Sequence, residues 1–262
     1  MEQKTEYDHT MTDLLELVWG PDFMSPGGAG NVARLFDGLD VRGKSALDIG
    51  SGLGGPAFVV ARDYGADVIG IDIEAPLIEH ATTRAAKLGL SDHAEFRLVT
   101  PGPLPFPADS FDVVFSSGAF TQIDDKHSIY RECLRVLKPG GVLTCYDWMK
   151  SEGDYSEDML YWFKMEGLTY AMQTPAAHEE ILKEVGFVSV EIDDRSAWYK
   201  EEAQAEYKRL SKPLYPQLVS LIGQEAADHY VECWRAMVVV CEKGEMLQVY
   251  NRGRKPAQDS LQ

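Results

Sequence analysis

No run of about 18 apolar residues occurs anywhere in the 262-residue chain, so nothing in it reads as a membrane span. The first ten residues, Met1 to Thr10, are polar and acidic and lack the apolar stretch of a signal peptide, so the expected location is cytoplasmic. Cysteine is scarce: Cys133, Cys145, Cys233 and Cys241 form no CxxC pair and fit no zinc spacing, which leaves buried thiols in a reducing compartment. None of the six histidines pairs as H-x-x-x-H, and no metal is expected. Basic residues are outnumbered, 25 Lys and Arg against 42 Asp and Glu, for a formal charge of −17. Such a field repels phosphate backbones and anionic lipid, so neither nucleic acid nor membrane is an expected partner, whereas a small-molecule acceptor remains open. Repeats and low-complexity tracts are absent as well.

What is present is a chain that is 45% hydrophobic, enough for a sizeable core. Met11, Leu14, Leu15 and Val18 recur at helical spacing, Gly20-Pro21 ends that helix, and a second helix is expected over Ala29–Asp37. From there strands and helices alternate. Strands are expected at Ser45–Ile49, Asp67–Asp72, Ala94–Val99, Phe111–Ser116 and Val142–Asp147. Helices are expected at Phe58–Tyr64, Ala75–Leu88 and Lys126–Leu137, the last ended by Lys138-Pro139-Gly140-Gly141. Repeated βαβ units imply a parallel sheet covered by helices on both faces. The later part reads as helices over Asp158–Gln173 and Pro175–Val185, a strand at Val188–Ile192, helical pattern from Ala203 to about Val240, and a last strand at Met246–Tyr250. Met237–Cys241 suits either a helix or a strand. The expected division is an N-terminal helical lid (1–36), a cofactor-binding core (37–150), and a helical cap with closing strands of the same domain (151–262).

The strongest motif is Leu47-Asp48-Ile49-Gly50-Ser51-Gly52-Leu53-Gly54-Gly55 at a strand-to-helix turn, where glycines allow a sharp turn and close approach of a ligand to the backbone. Asp72 ends the second strand, where a carboxylate can accept from both hydroxyls of a ribose. Gly50, Gly52 and Gly55 have the spacing of a dinucleotide fingerprint, so spacing alone does not exclude NAD. Asp48 weighs against it, with a nicotinamide oxidoreductase kept as an alternative: a carboxylate just ahead of the first glycine repels a pyrophosphate and suits the α-ammonium of an amino acid, directly or through water. An ammonium together with a ribose points to S-adenosylmethionine.

These segments, with Gly70-Ile71-Asp72-Ile73, Phe111-Asp112-Val113-Val114 and Leu137-Lys138-Pro139-Gly140-Gly141-Val142-Leu143, resemble the class I, Rossmann-like S-adenosylmethionine methyltransferases. The resemblance implies an α/β fold: a doubly wound seven-stranded sheet with an antiparallel last strand, an N-terminal helical lid and a helical cap. It implies that Asp48, Gly50, Ser51 and Gly52 line the methionine end of the cofactor and Asp72 and Ile73 its ribose and adenine. Ser117, within Ser116–Gly118, would lie near the reacting sulfonium. Thr100 stands where many members carry an adenine-binding Asp.

Trp19-Gly20-Pro21-Asp22-Phe23-Met24-Ser25-Pro26-Gly27-Gly28, with Tyr7 ahead of it, is similar to the N-terminal lid of phosphoethanolamine N-methyltransferases, and the core is also similar to sarcosine/dimethylglycine methyltransferases. By that likeness the reaction is N-methylation of a small amine, Tyr7 is one half of a catalytic pair and Ser25 touches the cofactor. Gln122 falls at the pair's histidine, Trp148 at a phosphate-binding tyrosine, and Tyr170 matches another such tyrosine. Gln122 hydrogen-bonds but takes no proton at neutral pH. His9, close to Tyr7, is a candidate replacement for the histidine, and Lys243 a candidate contact for an anionic acceptor group. Oxygen, sulfur or carbon acceptors of the same fold, and a non-catalytic binding module, are the alternatives. The late aromatics Tyr155, Tyr161, Trp162, Phe163, Trp198, Tyr199 and Trp234 are expected mainly to pack the cap; Trp148, ending a strand, is expected to meet the acceptor.

Overall fold

Strand β1 (Ser45–Ile49) sends successive side chains to opposite faces of a sheet, as the twofold period of a strand requires. Ala46 joins an apolar cluster on one face and Leu47 and Ile49 one on the other. In the computed structural model, which describes residues 7, 9–168 and 170–257, β1 lies between β2 and β4 in a seven-stranded sheet of order β3-β2-β1-β4-β5-β7-β6. The other strands are β2 (Asp67–Asp72), β3 (Ala94–Leu98), β4 (Phe111–Ser117), β5 (Leu137–Lys150), β6 (Val188–Asp194) and β7 (Met246–Arg254). Strands β1 to β5 pair in parallel, and β7 runs antiparallel to both of its neighbours. The expected doubly wound sheet and its antiparallel last strand are therefore present. The chain winds outward from β1 to β3 and then returns to β4 on the other side of β1, which puts the switch point, and a crevice, at the carboxyl ends of β1 and β4.

One face is covered by α2 (Gly28–Leu35), α3 (Gly55–Val59, continued by a π-turn over Val60–Tyr64) and α4 (Ala75–Leu88). The other is covered by α5 (Lys126–Val136) and α7 (Pro175–Val185). A third apolar cluster joins α1 (His9–Trp19) to α6 (Glu157–Glu166), α8 (Ser196–Ser211), α9 (Tyr215–Ile222) and α10 (Gln224–Glu242). The first helix thus packs with the last ones. Met11, Leu14, Leu15 and Val18 are buried among them, the face that their spacing announces.

Element boundaries differ where local chemistry outweighs periodicity. The helix expected over Asp158–Gln173 stops at Glu166, where Gly167 takes the left-handed C-cap, and a new helix begins at Pro175 behind a Thr174 cap whose side chain accepts from Ala177 N–H. Lys138-Pro139-Gly140-Gly141 lies inside β5: register jumps from Phe111 opposite Leu137 to Val113 opposite Val142, and that irregularity accommodates a proline without a ladder donor. Met237–Cys241 is helical, within α10. Among the described residues no helix is long and apolar enough to cross a membrane.

One buried acid ties the N-terminal helix to the cap. Glu206 on α8 accepts from Trp19 Nε1 at 2.7 Å and Trp234 Nε1 at 3.1 Å. Burial raises its carboxyl from 4.5 to about 7, against the pull of the two indole donors. The folded protein thus keeps a proton that the unfolded chain releases between about pH 4.5 and 7, so this group makes stability fall as pH rises through that window. Glu206→Gln is expected to remove this slope, by about 3 kcal/mol between the two ends of the window. Urea denaturation of both proteins from pH 4.5 to 7.5 checks it; parallel profiles would refute it.

Candidate active site

A cavity of about 850 Å³ opens over the carboxyl ends of β1, β2, β4 and β5 and is roofed by α1 and the loop behind it. Its first half is built from the glycine turn. Gly50 N–H and Ser51 N–H both donate to Ile71 O, at 2.9 and 3.0 Å, which folds the turn against β2. Gly50 has φ 72°, and a Cβ there would sit 2.2 Å from the Cβ of Ala119, so only glycine fits. Gly52 N–H donates to Asp72 Oδ2 at 2.9 Å and Glu74 N–H to Asp72 Oδ1 at 3.0 Å. Each Asp72 oxygen is thus held by one backbone donor and keeps capacity for a further one. Burial raises the Asp72 carboxyl and these backbone donors lower it.

Asp48 is wholly buried at the end of β1, and neither of its oxygens has a hydrogen-bond partner. Burial, then the charge of Asp72, push its carboxyl well above the usual range. Asp48 and Ser51 lie beneath the turn, while Ile49, Gly50, Gly52, Asp72, Ile73 and Thr100 line the cavity itself. Ile73 is 46% exposed, an apolar side chain standing open at the rim. Ser117 also lines the cavity, and its hydroxyl, like that of Ser51, is buried and without a partner. Orphaned buried oxygens on Asp48, Ser51 and Ser117, gathered around a side-chain-free turn, fit the polar amino-acid end of a nucleoside cofactor, and Asp72 with Ile73 fits its ribose and base. Pro101 to Leu104 and Arg131 close this half; sequence reasoning did not single them out, since a loop and a helix flank carry no motif.

The N-terminal segment is fastened over the turn by backbone contacts. Gly55 N–H donates to Asp22 O at 2.9 Å, and a Cβ on Gly55 would lie 2.5 Å from that same oxygen. Asp22 accepts Arg84 Nε through both carboxylate oxygens, at 2.8 and 2.9 Å. Glu16, Asp22 and His80 come close together here, but the Asp22 carboxylate is already neutralised by Arg84. Met24 and Ser25 then line the cavity against Gly52.

The second half contains the residues matched to the acceptor. Tyr7 OH donates to Gln122 Oε1 at 3.4 Å, a long hydrogen bond between positions far apart in the chain. Gln122 ends a 3₁₀ turn, Ala119–Gln122, that is clamped from below. Thr121 N–H donates to Asp147 Oδ1 at 3.0 Å, Thr121 Oγ1 to Trp148 O at 2.8 Å, and Lys126 Nζ to Phe120 O at 2.6 Å. Burial raises the Asp147 carboxyl and the neighbouring Lys126 opposes it. Trp148 and Tyr170 line the same half, with ring centroids 6.1 Å apart. Trp162, Tyr199 and Trp234 are buried in the cap, the packing role expected of them.

His9 is exposed on α1 and does not line the cavity, so it does not stand in for a histidine at Gln122. Lys243 pairs with Asp158 and does not line the cavity either. His178 is buried against Tyr130 OH at 2.8 Å, and burial lowers its imidazole to about 4. Trp19, the first residue of the lid motif, lines the cavity, and so do Glu166, Tyr146 and Leu168, which were missed because each lies in a segment read only as helix or strand.

Fold and site together have the layout of the class I, Rossmann-like methyltransferase fold. Residues 47–145 match the family model described as a methyltransferase domain, so the chain carries that domain. Over 92% of its length the chain is 31% identical to phosphoethanolamine N-methyltransferase 1 of Zea mays, covering 47% of that protein. It thus spans about half the length of the curated relatives it matches. The structure of Haemonchus contortus phosphoethanolamine N-methyltransferase 2, with phosphomonomethylethanolamine and S-adenosylhomocysteine, superposes with TM-score 0.89 at 25% identity, over 97% of this chain and 59% of that one. A Galdieria sulphuraria protein, provisionally assigned as a sarcosine dimethylglycine methyltransferase, shares the fold with TM-score 0.81 at 20% identity, covering 95% of this chain and 98% of that one.

Gly50→Ala tests the cradle. The added methyl has to displace Ala119 and with it the turn that carries Gln122. Isothermal titration with S-adenosylhomocysteine is expected to show affinity reduced at least about tenfold, the equivalent of about 1.4 kcal/mol. Unchanged affinity would show that the turn is not the cofactor site.

Proposed function

We propose that the protein is an S-adenosylmethionine-dependent methyltransferase that methylates the nitrogen of a small amine. One observation carries this reading: the side-chain-free turn above the orphaned Asp48 opens into the same cavity as the Tyr7–Gln122 pair. The names of the relatives support the amine and the cofactor. When bound, S-adenosylmethionine supplies an activated methyl on a sulfonium, so the protein's work is positioning and exclusion of water.

In this reading Asp72 holds the ribose hydroxyls, with Gly52 and Glu74 N–H fixing its orientation. Asp48 acts on the amino-acid end from beneath Gly50, through a bridging water, and Ser117 lies beside the reacting sulfur. Ile73 and Thr100 flank the base. The described part of the 1–36 segment acts as the lid, Ser25 closing onto the cofactor; residues 1–6 and 8 lie outside the described residues. Tyr7 and Gln122 hold the acceptor nitrogen in line. Neither takes a proton at neutral pH, so the pair orients rather than deprotonates, and a tertiary amine needs no proton removed at all. Trp148 and Tyr170 flank the acceptor. The negative surface and four free, buried cysteines favour a cytoplasmic enzyme of small molecules over one acting on nucleic acid.

The test is S-adenosylhomocysteine formation from labelled donor with a panel of amines, thiols and phenols. Turnover is expected with an amine. Asp72→Ala should cost on the order of a hundredfold in cofactor affinity, the loss of two hydrogen bonds to a charged group. Tyr7→Phe should lower kcat/KM about tenfold and leave cofactor affinity unchanged. Exclusive turnover of thiols or phenols would reassign the acceptor; tight cofactor binding with no turnover at all would make the chain a binding module.

A further inference from the structure

The acceptor half of the cavity contains a carboxylate that the reading above does not use. Glu166, the last residue of α6, lines the cavity together with Trp148, Leu168 and Tyr170. Its Oε2 accepts from Trp162 Nε1 at 3.1 Å and from Cys233 Sγ at 3.1 Å, which fixes the carboxylate in place. Trp162 stacks on Tyr170 with centroids 5.1 Å apart and 17° between planes, and Trp148 meets Trp162 edge-on at 5.4 Å. The carboxylate thus stands in a wall of ring faces.

Basic side chains are missing from this half. Among the described residues that line the whole cavity there is no lysine and no histidine, and the single arginine, Arg131, lies on α5 beside the loop that closes the cofactor half. Burial raises the Glu166 carboxyl, while its Cys233, Trp162 and Tyr170 donors and the charge of His229 behind it lower it. A phosphate carried here meets no cation among the described lining residues and faces Glu166. Like charges brought together in a desolvated site cost several kcal/mol. An ammonium gains twice, from the carboxylate and from the aromatic faces, each of which attracts a cation.

We infer that the acceptor site takes an unphosphorylated, cation-bearing amine, with Glu166 as its counter-charge and Trp148 and Tyr170 as its aromatic walls. This rests on the amine reading and narrows it. Methylation of an amine ends in a nitrogen that carries positive charge, so a site lined this way holds the product as well as the substrate.

The experiment measures binding without methyl donor, so it stands or falls separately from turnover. The protein saturated with S-adenosylhomocysteine is titrated with choline and with phosphocholine, read by equilibrium dialysis of labelled ligand. Choline is expected to bind at least about tenfold tighter than phosphocholine. Glu166→Gln, which keeps an acceptor for Trp162, is expected to weaken choline about tenfold or more while S-adenosylhomocysteine binding and the unfolding midpoint stay unchanged. Trp148→Leu is expected to weaken choline also, and provides the second reading if Glu166→Gln does not fold. Tighter binding of phosphocholine, binding of neither ligand, or choline affinity indifferent to the substitutions would overturn the inference. No turnover with any amine, beside intact choline binding, would instead overturn the methyl-transfer reading and leave the cation site standing.

Discussion

A carboxylate removed from water without a hydrogen-bond partner costs several kcal/mol unless something balances it, and Asp48 is such a group at the centre of this protein. It lies near the end of β1, at the point where the strand order reverses, in register with Gly70 of β2 and Phe115 of β4. The turn above it has to stay open for a ligand group to come near, which is why Gly50 and Gly52 carry no side chain there. Asp72 stands close by, adds to the rise that burial imposes on the Asp48 carboxyl, and is itself steadied by the N–H groups of Gly52 and Glu74. The two carboxylates and the glycine backbone form one electrostatic unit, complementary to a ligand with an ammonium at one end and hydroxyls further on.

That unit constrains what covers it. The N-terminal segment crosses the turn by backbone contact, Asp22 O on Gly55 N–H, and is locked to α4 through Arg84. Its helix, α1, has its apolar face among the cap helices, with Trp19 held by the buried Glu206. A cover attached at one end to the sheet domain and at the other to the cap couples the cofactor half to the acceptor half, and the Tyr7–Gln122 contact lies where the two meet. The 3₁₀ turn bearing Gln122 is in turn clamped by Asp147 and Lys126, so the position of Gln122 depends on the same β4 and β5 ends that border the glycine turn.

The sheet was legible because its signals are local and redundant: apolar runs of strand length, glycine turns, and helices between them. Tyr7 and Gln122, named from the sequence as a pair, do touch, and Asp72 and Ser117 line one cavity with them. Periodicity failed where capping decides, at Gly167, and where an irregular pairing absorbed Pro139. Glu166 could not have been singled out. In sequence it is one more acid inside a stretch read as helix, and only the packing of α6 against α10 makes it a wall of the cavity. His9 looked suitable by nearness to Tyr7 in sequence, but the start of α1 turns it to solvent.

The two halves of the cavity are legible to different degrees for a physical reason. The cofactor half is held mostly by backbone and by carboxylates at strand ends, so its requirements fall on a few fixed positions in one continuous stretch; the family match, residues 47–145, covers that stretch. The acceptor half is assembled from α1, the 3₁₀ turn, the end of β5 and the end of α6, elements that meet only after the chain has folded. Side chains there are free to vary as long as the frame holds. Likeness to relatives therefore bears on the cofactor half far more than on the second half, which has to be read from the charge and rings that line it: one fixed carboxylate, aromatic faces, and no lysine, arginine or histidine among the described residues lining that half.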